Sequence, residues 1–371
     1  MSTAEELKDA HAYAYGGAIV PDMGYYPFSS KLFTNLVHYV RSGDMAQALL
    51  RDASTLNEYA FALGYLSHYY ADNYGHSLAT NLSVPLMYPK MRKKFGDVVT
   101  YADNPLSHGR MELGFDVLET AKGNYASEAY HGFIGFKIDT AVLSKAFFET
   151  YGLDINDVFD HKLSRSVETF RFIIANVFPF ITRTAWASKG SEIFKTDSSG
   201  NGRRFRYRMR VREYNKQYGK NYMHPGTFPA IVAFMLHVFP KFGPLRILKF
   251  KAPNAQSEKY FDRSFDSIML YYTRSLQQLN LSANTLTDKD FDTGKPTDAC
   301  EYSLADDTYD KWVVKLKNDE FKYLTDPIKQ NILTFYRGLN TTSPGRNSKA
   351  CNDVYGAVND IKNVQPVQTH N

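Results

Sequence analysis

The stretch "LGYLSHYYADNYGHSLATN", Leu63 to Asn81, sets His68, Asp72 and His76 four residues apart. Side chains at that spacing share one face of an α-helix. The surrounding letters, among them Leu63, Leu66 and Tyr69, put that face against a core. A buried imidazole or carboxylate needs a partner, and a metal ion is one. The same spacing recurs in "HGRME", where His108 precedes Glu112 by four. Helices that each present a histidine and a carboxylate on facing surfaces are how bundles build metal sites, because ligands converge without bending the backbone. Asp72, flanked by two histidines, is placed to be shared between ions. Six of the ten histidines, His11, His38, His68, His76, His108 and His131, lie in the first 131 residues of 371.

Composition narrows the alternatives. At 371 residues and 43% hydrophobic the chain can bury a large core, as a globular protein of one large domain or two ordinary ones. A formal charge of +5 names no partner by itself. The two cysteines, Cys300 and Cys351, are far apart and exclude a disulfide framework or a cysteine-ligated zinc site. The opening "MSTAEELKDAHAYAYGG" lacks a secretory signal, which predicts a cytoplasmic chain or a mature or trimmed form. The most apolar stretch, "TFPAIVAFMLHVFPKFGPLRILKF", is broken by Pro229, Pro240 and Pro244, so no transmembrane segment is expected. It reads as a buried helical hairpin, or as a peripheral membrane contact through Phe228 to Phe250.

The expected fold class is mainly α. Residues 1–150 read as a helical core and 151–371 as a mostly helical extension packed on it, with the last 20 or so residues loose. "SSKLFTNLVHYVRSG" predicts a helix with an apolar face at Leu32, Leu36, Val37 and Val40, a cap at Ser29 or Ser30 and a stop at Gly43. In "LNEYAFALGYLSHYYADNYGH" the expected packed side is Leu56, Tyr59, Ala60, Leu63 and Leu66 to Ser67. "PLSHGRMELGFDVLETAKG" should open at Pro105 and end at Gly123. Further on, a long helix kinked at Pro179 and a loop at Thr196–Gly202 are expected. Arg204, Arg206, Arg208, Arg210 and Arg212 alternate with Phe205, Tyr207, Met209 and Val211, which favours a strand. Polar, turn-like text after Thr287 yields to short helices at Lys311–Asn318 and Pro327–Leu339.

With these residues laid out, Asp22 to Phe136 resembles the zinc-dependent phospholipase C superfamily, which includes the single-strand zinc nucleases. There an aspartate is followed some fifteen residues later by a histidine, then HxxxD with a further histidine, then HxxxE or HxxxD. Here the order is Asp22, His38, His68, Asp72, His76, His108, Glu112. The wider text, including "PLMYPKMRKKFGDVVTYADNP", "AYHGFIGF" and "FDTGKPTDACEYSLADDTY", resembles a bacterial branch of that superfamily.

The resemblance implies a helical bundle that hydrolyses a phosphodiester with a zinc-activated water. By position, Asp22, His38, His68 and Asp72 would hold one zinc, His76, His108 and Glu112 a second, and Asp72 would reach towards a third. The superfamily builds its third site from an N-terminal tryptophan and an early histidine that this chain does not supply at the matching spacing. The expectation is therefore two zinc ions, an incomplete third site and a missing leading segment with its export signal, with a secreted or periplasmic location; His11 is the candidate stand-in. Because His76 follows Asp72 closely, Gly75 is expected to break the helix and swing His76 inward. Asp22 and Asp72 are the expected catalytic carboxylates. Tyr25, Tyr26 and Phe28 are candidates for receiving a choline headgroup, and His131 for a supporting role. Phospholipid, or another phosphodiester, is the expected substrate. The alternatives are a nuclease-like phosphodiesterase, for which the arginine stripe would hold nucleic acid, and a non-catalytic bundle with an incomplete metal site.

Overall fold

The computed structural model describes residues 3–122, 136–177, 246–247, 249–279, 286–337 and 349–368. The architecture is mainly α. Among the described residues β pairing is confined to an isolated antiparallel bridge between Lys289 and Pro296. The described residues fall into two compact units. One draws on Met1–Ala12, Tyr74–Phe136 and Phe170–Tyr271, the other on Tyr13–Asn73, Lys137–Thr169 and Tyr272–Asn371.

The second of these holds the helices that frame the first histidines, with α1 entering it at Tyr13 and α4 leaving it after Asn73. Helix α1 (Ala4–Ile19) runs into a 3-10 turn, Val20–Tyr25, and is followed by α2 (Lys31–Tyr39), α3 (Ser42–Asp52) and α4 (Leu56–Gly75). The Ser30 side chain caps α2 by accepting from the Phe33 N–H at 3.3 Å. Thr55 and Glu58 form a capping box at the start of α4: the Thr55 hydroxyl accepts from Glu58 N–H at 3.2 Å, and the Glu58 carboxylate from Thr55 N–H at 2.9 Å. Phe33, Leu36, Val37, Phe61 and Tyr65 are fully buried.

Gly43 does not stop α2. That helix ends at Tyr39 with Val40 extended as its cap, Arg41 takes a left-handed conformation (φ 50°), and Gly43 lies in the first turn of α3. A Cβ on Gly43 would lie 2.7 Å from the Leu286 carbonyl oxygen, so glycine serves a close approach rather than a turn. The packed face of α4 also differs from the expected one. Leu56 and Tyr59 are exposed, whereas Phe61, Ala62, Gly64, Tyr65, Leu66, His68, Tyr69 and Asn73 are buried. Of the expected side Leu66 is buried and Ala60, Leu63 and Ser67 are half-buried, while the face carrying His68 is inside as its apolar neighbours imply.

Farther along come α8 (Thr140–Tyr151), α9 (Ile155–Val158) and α10 (Leu163–Phe172). Helix α8 packs on α3. In the same unit, α12 (Ser303–Asn318) packs on α2 and on α14 (Lys349–Asn363), with α13 (Asp326–Phe335) against α14. Helix α12 starts eight residues before the expected Lys311, because Ala305, Thr308 and Tyr309 bury beneath its polar letters. The polar tail likewise contains α14, whose Val354, Ala357, Val358 and Ile361 are buried.

In the other unit, a π-helical turn at His76–Thr80 leads to α5 (Asn81–Met87), α6 (Pro89–Phe95) and α7 (Pro105–Lys122), with α11 (Ala255–Gln278) supplying Tyr260 and Phe261. Ala79, Val84, Val99, Met111 and Phe115 form its core. The arginine stripe Arg204–Arg212, the Pro179 kink, the Thr196–Gly202 loop and most of the Phe228–Phe250 segment lie outside the described residues.

Candidate metal centre

Seven of the sequence-selected residues gather into two groups. The ligand atoms of Asp22, His38, His68 and Asp72 all lie within 4.8 Å of one another, and so do those of His76, His108 and Glu112. The first group belongs to the unit containing Tyr13–Asn73, the second to the unit containing Tyr74–Phe136.

The first group is built by two backbone latches. The Thr34 hydroxyl accepts from Gly24 N–H and donates to the Pro21 carbonyl, both at 2.7 Å. This ties the 3-10 turn carrying Asp22 to the helix carrying His38, and Gly24 is needed because a Cβ there would sit 2.2 Å from the Thr34 oxygen. The second latch is the crossing of α1 and α4. A Cβ on Gly64 would lie 1.9 Å from the Ala14 carbonyl oxygen, and one on Gly17 would lie 1.9 Å from that of Phe61. Only glycines permit this approach, and it brings the Ala18 carbonyl to His68.

Both imidazoles are then oriented through Nδ1. His38 Nδ1 is 2.8 Å from the Thr34 carbonyl oxygen, and His68 Nδ1 is 2.8 Å from that of Ala18. A carbonyl can only accept, so Nδ1 carries the hydrogen and Nε2 presents its lone pair to the group. His38 Nε2 faces Asp22 and Asp72, each at 3.4 Å, and His68 Nε2 lies 3.1 Å from Asp72. Burial alone would lower the His38 pKa, but the two carboxylates overcome it and push it up to about 10. His68 is raised by the same carboxylates against the same burial.

The second group uses the opposite nitrogen. His108 Nε2 is 3.0 Å from Asn81 Oδ1, which leaves Nδ1 facing Glu112 at 2.9 Å. His76 Nε2 lies 3.2 Å from the same carboxylate oxygen, and the two imidazoles stand edge to face at 5.0 Å. Burial would raise the Glu112 pKa, but His108 and His76 hold it well below the usual carboxylate range. Gly75 does not break the helix: its angles are helical (φ −63°, ψ −49°), and the chain widens there into the π turn that starts at His76. Such turns insert an extra residue and re-aim the side chains that follow.

A metal fits both groups on the evidence of their nitrogens. His68 Nε2 and His108 Nδ1 are buried and have no hydrogen-bond partner, although carboxylate oxygens lie 3.1 and 2.9 Å away. In each group the imidazole nitrogens and carboxylate oxygens lie within 4.8 Å of one another, the spacing of ligands around one ion. Imidazole and carboxylate, with no thiolate, form a donor set suited to zinc.

Several supporting residues escaped the sequence reading. Thr34, Ala18 and the paired glycines carry no chemical signal. Asn81 is one more amide in a polar run, and Phe291 one aromatic among many. Asp116 was legible as the residue four after Glu112; burial and the Glu112 charge push it up to about 7. His11 is exposed on α1 and is in neither group, and His131 lies outside the described residues. Tyr25 is exposed, edge-on to His38 at 6.3 Å. Tyr26 is half-buried, and the Phe28 ring is covered by the Arg165 guanidinium at 3.8 Å.

Residues 1–160 match the family model described as zinc dependent phospholipase C. That stretch belongs to the zinc-dependent phospholipase C superfamily. All seven ligand candidates of this phospholipase C-type region fall inside the match. No curated protein and no solved structure matches the chain. Among the described residues no helix is long and apolar enough to cross a membrane.

Proposed function

We propose that the chain is a zinc-dependent phosphodiester hydrolase of phospholipase C type. The observation that carries this reading is the pair of ligand groups in which buried imidazole nitrogens, His68 Nε2 and His108 Nδ1 among them, converge with carboxylate oxygens within 4.8 Å. The family match over residues 1–160 supports it. Asp22, His38, His68 and Asp72 would hold one zinc, and His76, His108 and Glu112 a second. Zinc bound there supplies a Lewis acid for the phosphoryl oxygens and lowers the pKa of a coordinated water towards about 7.

The chain's own residues divide the remaining work. Asp72, with a side chain only 16% exposed and contacts to both His38 and His68, is a fixed ligand. The Asp22 side chain is 41% exposed, so it is the carboxylate of this group that solvent and substrate reach. Its Oδ1 faces His38 at 3.4 Å in the ligand position, so the other carboxylate oxygen of Asp22 is the atom we assign to orient the attacking water and accept its proton. Tyr25 is exposed and adjoins His38, so it is the aromatic we assign to a substrate headgroup; the Phe28 ring is covered by Arg165. Phospholipid is the substrate class we favour, with a secreted or periplasmic location.

The test is zinc content per chain by elemental mass spectrometry after dialysis against metal-free buffer, followed by assays on phosphatidylcholine and on single-stranded DNA with and without chelator. About two zinc ions and chelator-sensitive hydrolysis of the lipid are expected. Cleavage of DNA instead would turn the assignment to a nuclease, and a chain that binds no zinc would end the hydrolase reading.

A further inference from the structure

The family match ends at residue 160, yet the first ligand group has a wall that comes from far beyond it. Phe291 is fully buried, and its ring centroid lies 5.1 Å from that of His38, 5.9 Å from His68 and 5.6 Å from Tyr69. Its backbone N–H donates to the His38 carbonyl oxygen at 3.1 Å. The polar ends of the two imidazoles are already committed, Nδ1 to backbone carbonyls and Nε2 towards the carboxylates. Rotation of the rings is limited by what packs against them, and Phe291 packs against both, tilted 59° to His38 and 49° to His68.

The segment carrying Phe291 is fastened on either side. Asp288 Oδ1 accepts from the N–H groups of Gly43 and Asp44, each at 3.0 Å, which caps α3. The Tyr69 hydroxyl donates to the Thr287 carbonyl at 2.7 Å, and the Ser42 hydroxyl bonds Lys289 through both its carbonyl (2.6 Å) and its N–H (3.0 Å). After Phe291, the Asp292 carboxylate accepts from the Tyr39 hydroxyl at 2.9 Å and from the Tyr302 hydroxyl. Three of these partners, Ser42, Tyr39 and Tyr69, are neighbours in sequence of the ligand helices or lie on them. The strap is thus keyed to the same elements that carry His38 and His68.

We propose that Phe291 is a positioning residue of the first metal group, so that the centre is completed by a segment outside the family domain. This rests on the metal-centre reading above. Loss of the ring would free the imidazole planes and admit water beside Nε2, weakening metal binding by about tenfold or more, as removal of supporting groups around metal ligands does.

The experiment uses the full chain carrying His108→Ala, so that metal is held by the first group alone. Cobalt(II) is titrated in, its visible ligand-field bands are recorded, and zinc affinity is measured by chelator competition. Phe291→Leu and Phe291→Met are compared with Phe335→Leu, which removes a buried ring stacked on Tyr309 at 3.6 Å in the same unit. The expected result is shifted cobalt bands and weaker zinc binding in the Phe291 variants, with helical circular dichroism retained. Phe335→Leu should lower the Tm and leave the bands in place. Unchanged bands and affinity at Phe291, in a parent that binds cobalt, overturn the proposal alone. So does failure of both Phe291 variants to fold, which would assign the ring a purely structural role. A parent that binds no metal overturns the metal-centre reading, and this proposal with it.

Discussion

His68 and Ala18 are joined by a 2.8 Å contact from the imidazole Nδ1 to the backbone carbonyl oxygen, and that contact exists because α1 and α4 cross on glycines. Gly64 lies one turn before His68, and Ala14 one turn before Ala18. A methyl group at Gly64 would have to occupy space 1.9 Å from the Ala14 carbonyl oxygen, where backbone and not a mobile side chain must yield. Gly64→Ala should therefore destabilise the chain by about 1–3 kcal/mol or more, the cost of overpacking a tight contact, and should weaken zinc binding at the first group. Urea denaturation with and without zinc measures both; a variant as stable as the parent would refute the crossing as the source of the geometry.

Asp72 contacts both His38 and His68, so its removal should dismantle the first group rather than trim it. Asp72→Asn keeps the shape and loses the charge. The expected outcome is loss of about one zinc per chain together with loss of phosphodiesterase activity. Activity that survived this change would refute the assigned mechanism.

Asn81 makes a parallel case in the second group. Its Oδ1 fixes the hydrogen of His108 on Nε2 and so frees Nδ1 for the ligand position. Asn81→Leu removes that acceptor, leaves a buried N–H unsatisfied and lets the tautomer change. Zinc affinity at the second group should fall by about 10- to 100-fold, with the first group's stoichiometry kept. Measuring zinc release in the presence of a graded chelator separates the two.

How much of this was legible in the sequence depends on where each signal resides. Ligands such as His68 and Asp72 announce themselves, because few residue types do that chemistry and the helical repeat places them together. Helix α7 was readable from Pro105 and its apolar period. The packed face of α4 was legible around Leu66 and His68 but not at its start, where Leu56 and Tyr59 look like core letters and are exposed. Gly43 looked like a stop, but its lack of a side chain serves contact with residues over 240 positions away, which no local pattern records. Phe291 was invisible for the same reason: its meaning is entirely tertiary.

The strap also predicts a pH response. Burial pushes the Asp290 carboxyl up to about 6, with the Asp292 charge adding to it and the Thr293 donors opposing it. A carboxyl that is easier to protonate in the folded chain than in the unfolded one stabilises the fold in its protonated state. Its contribution is complete below the unfolded pKa of about 4 and is lost as pH rises through about 6. Asp290→Asn keeps an acceptor for Thr293 and carries no charge. It should flatten the fall in stability between pH 4 and pH 6, by an amount on the order of 2 kcal/mol. Denaturant midpoints across that range check it, and a parallel pH profile for parent and variant would refute it.

Gly75 supplies the sharpest check on the junction before His76. Its backbone is helical, and a Cβ built there meets nothing within 4 Å. Glycine at such a position costs the helix backbone entropy and returns no contact, so Gly75→Ala should stabilise the chain by roughly 0.5–1 kcal/mol. Zinc content should be unchanged, because the π turn and not a break at Gly75 directs His76 to Glu112. Had glycine been needed to break the helix, alanine would lower the Tm and release metal from the second group. A thermal melt paired with a zinc determination on the one variant distinguishes these two arrangements.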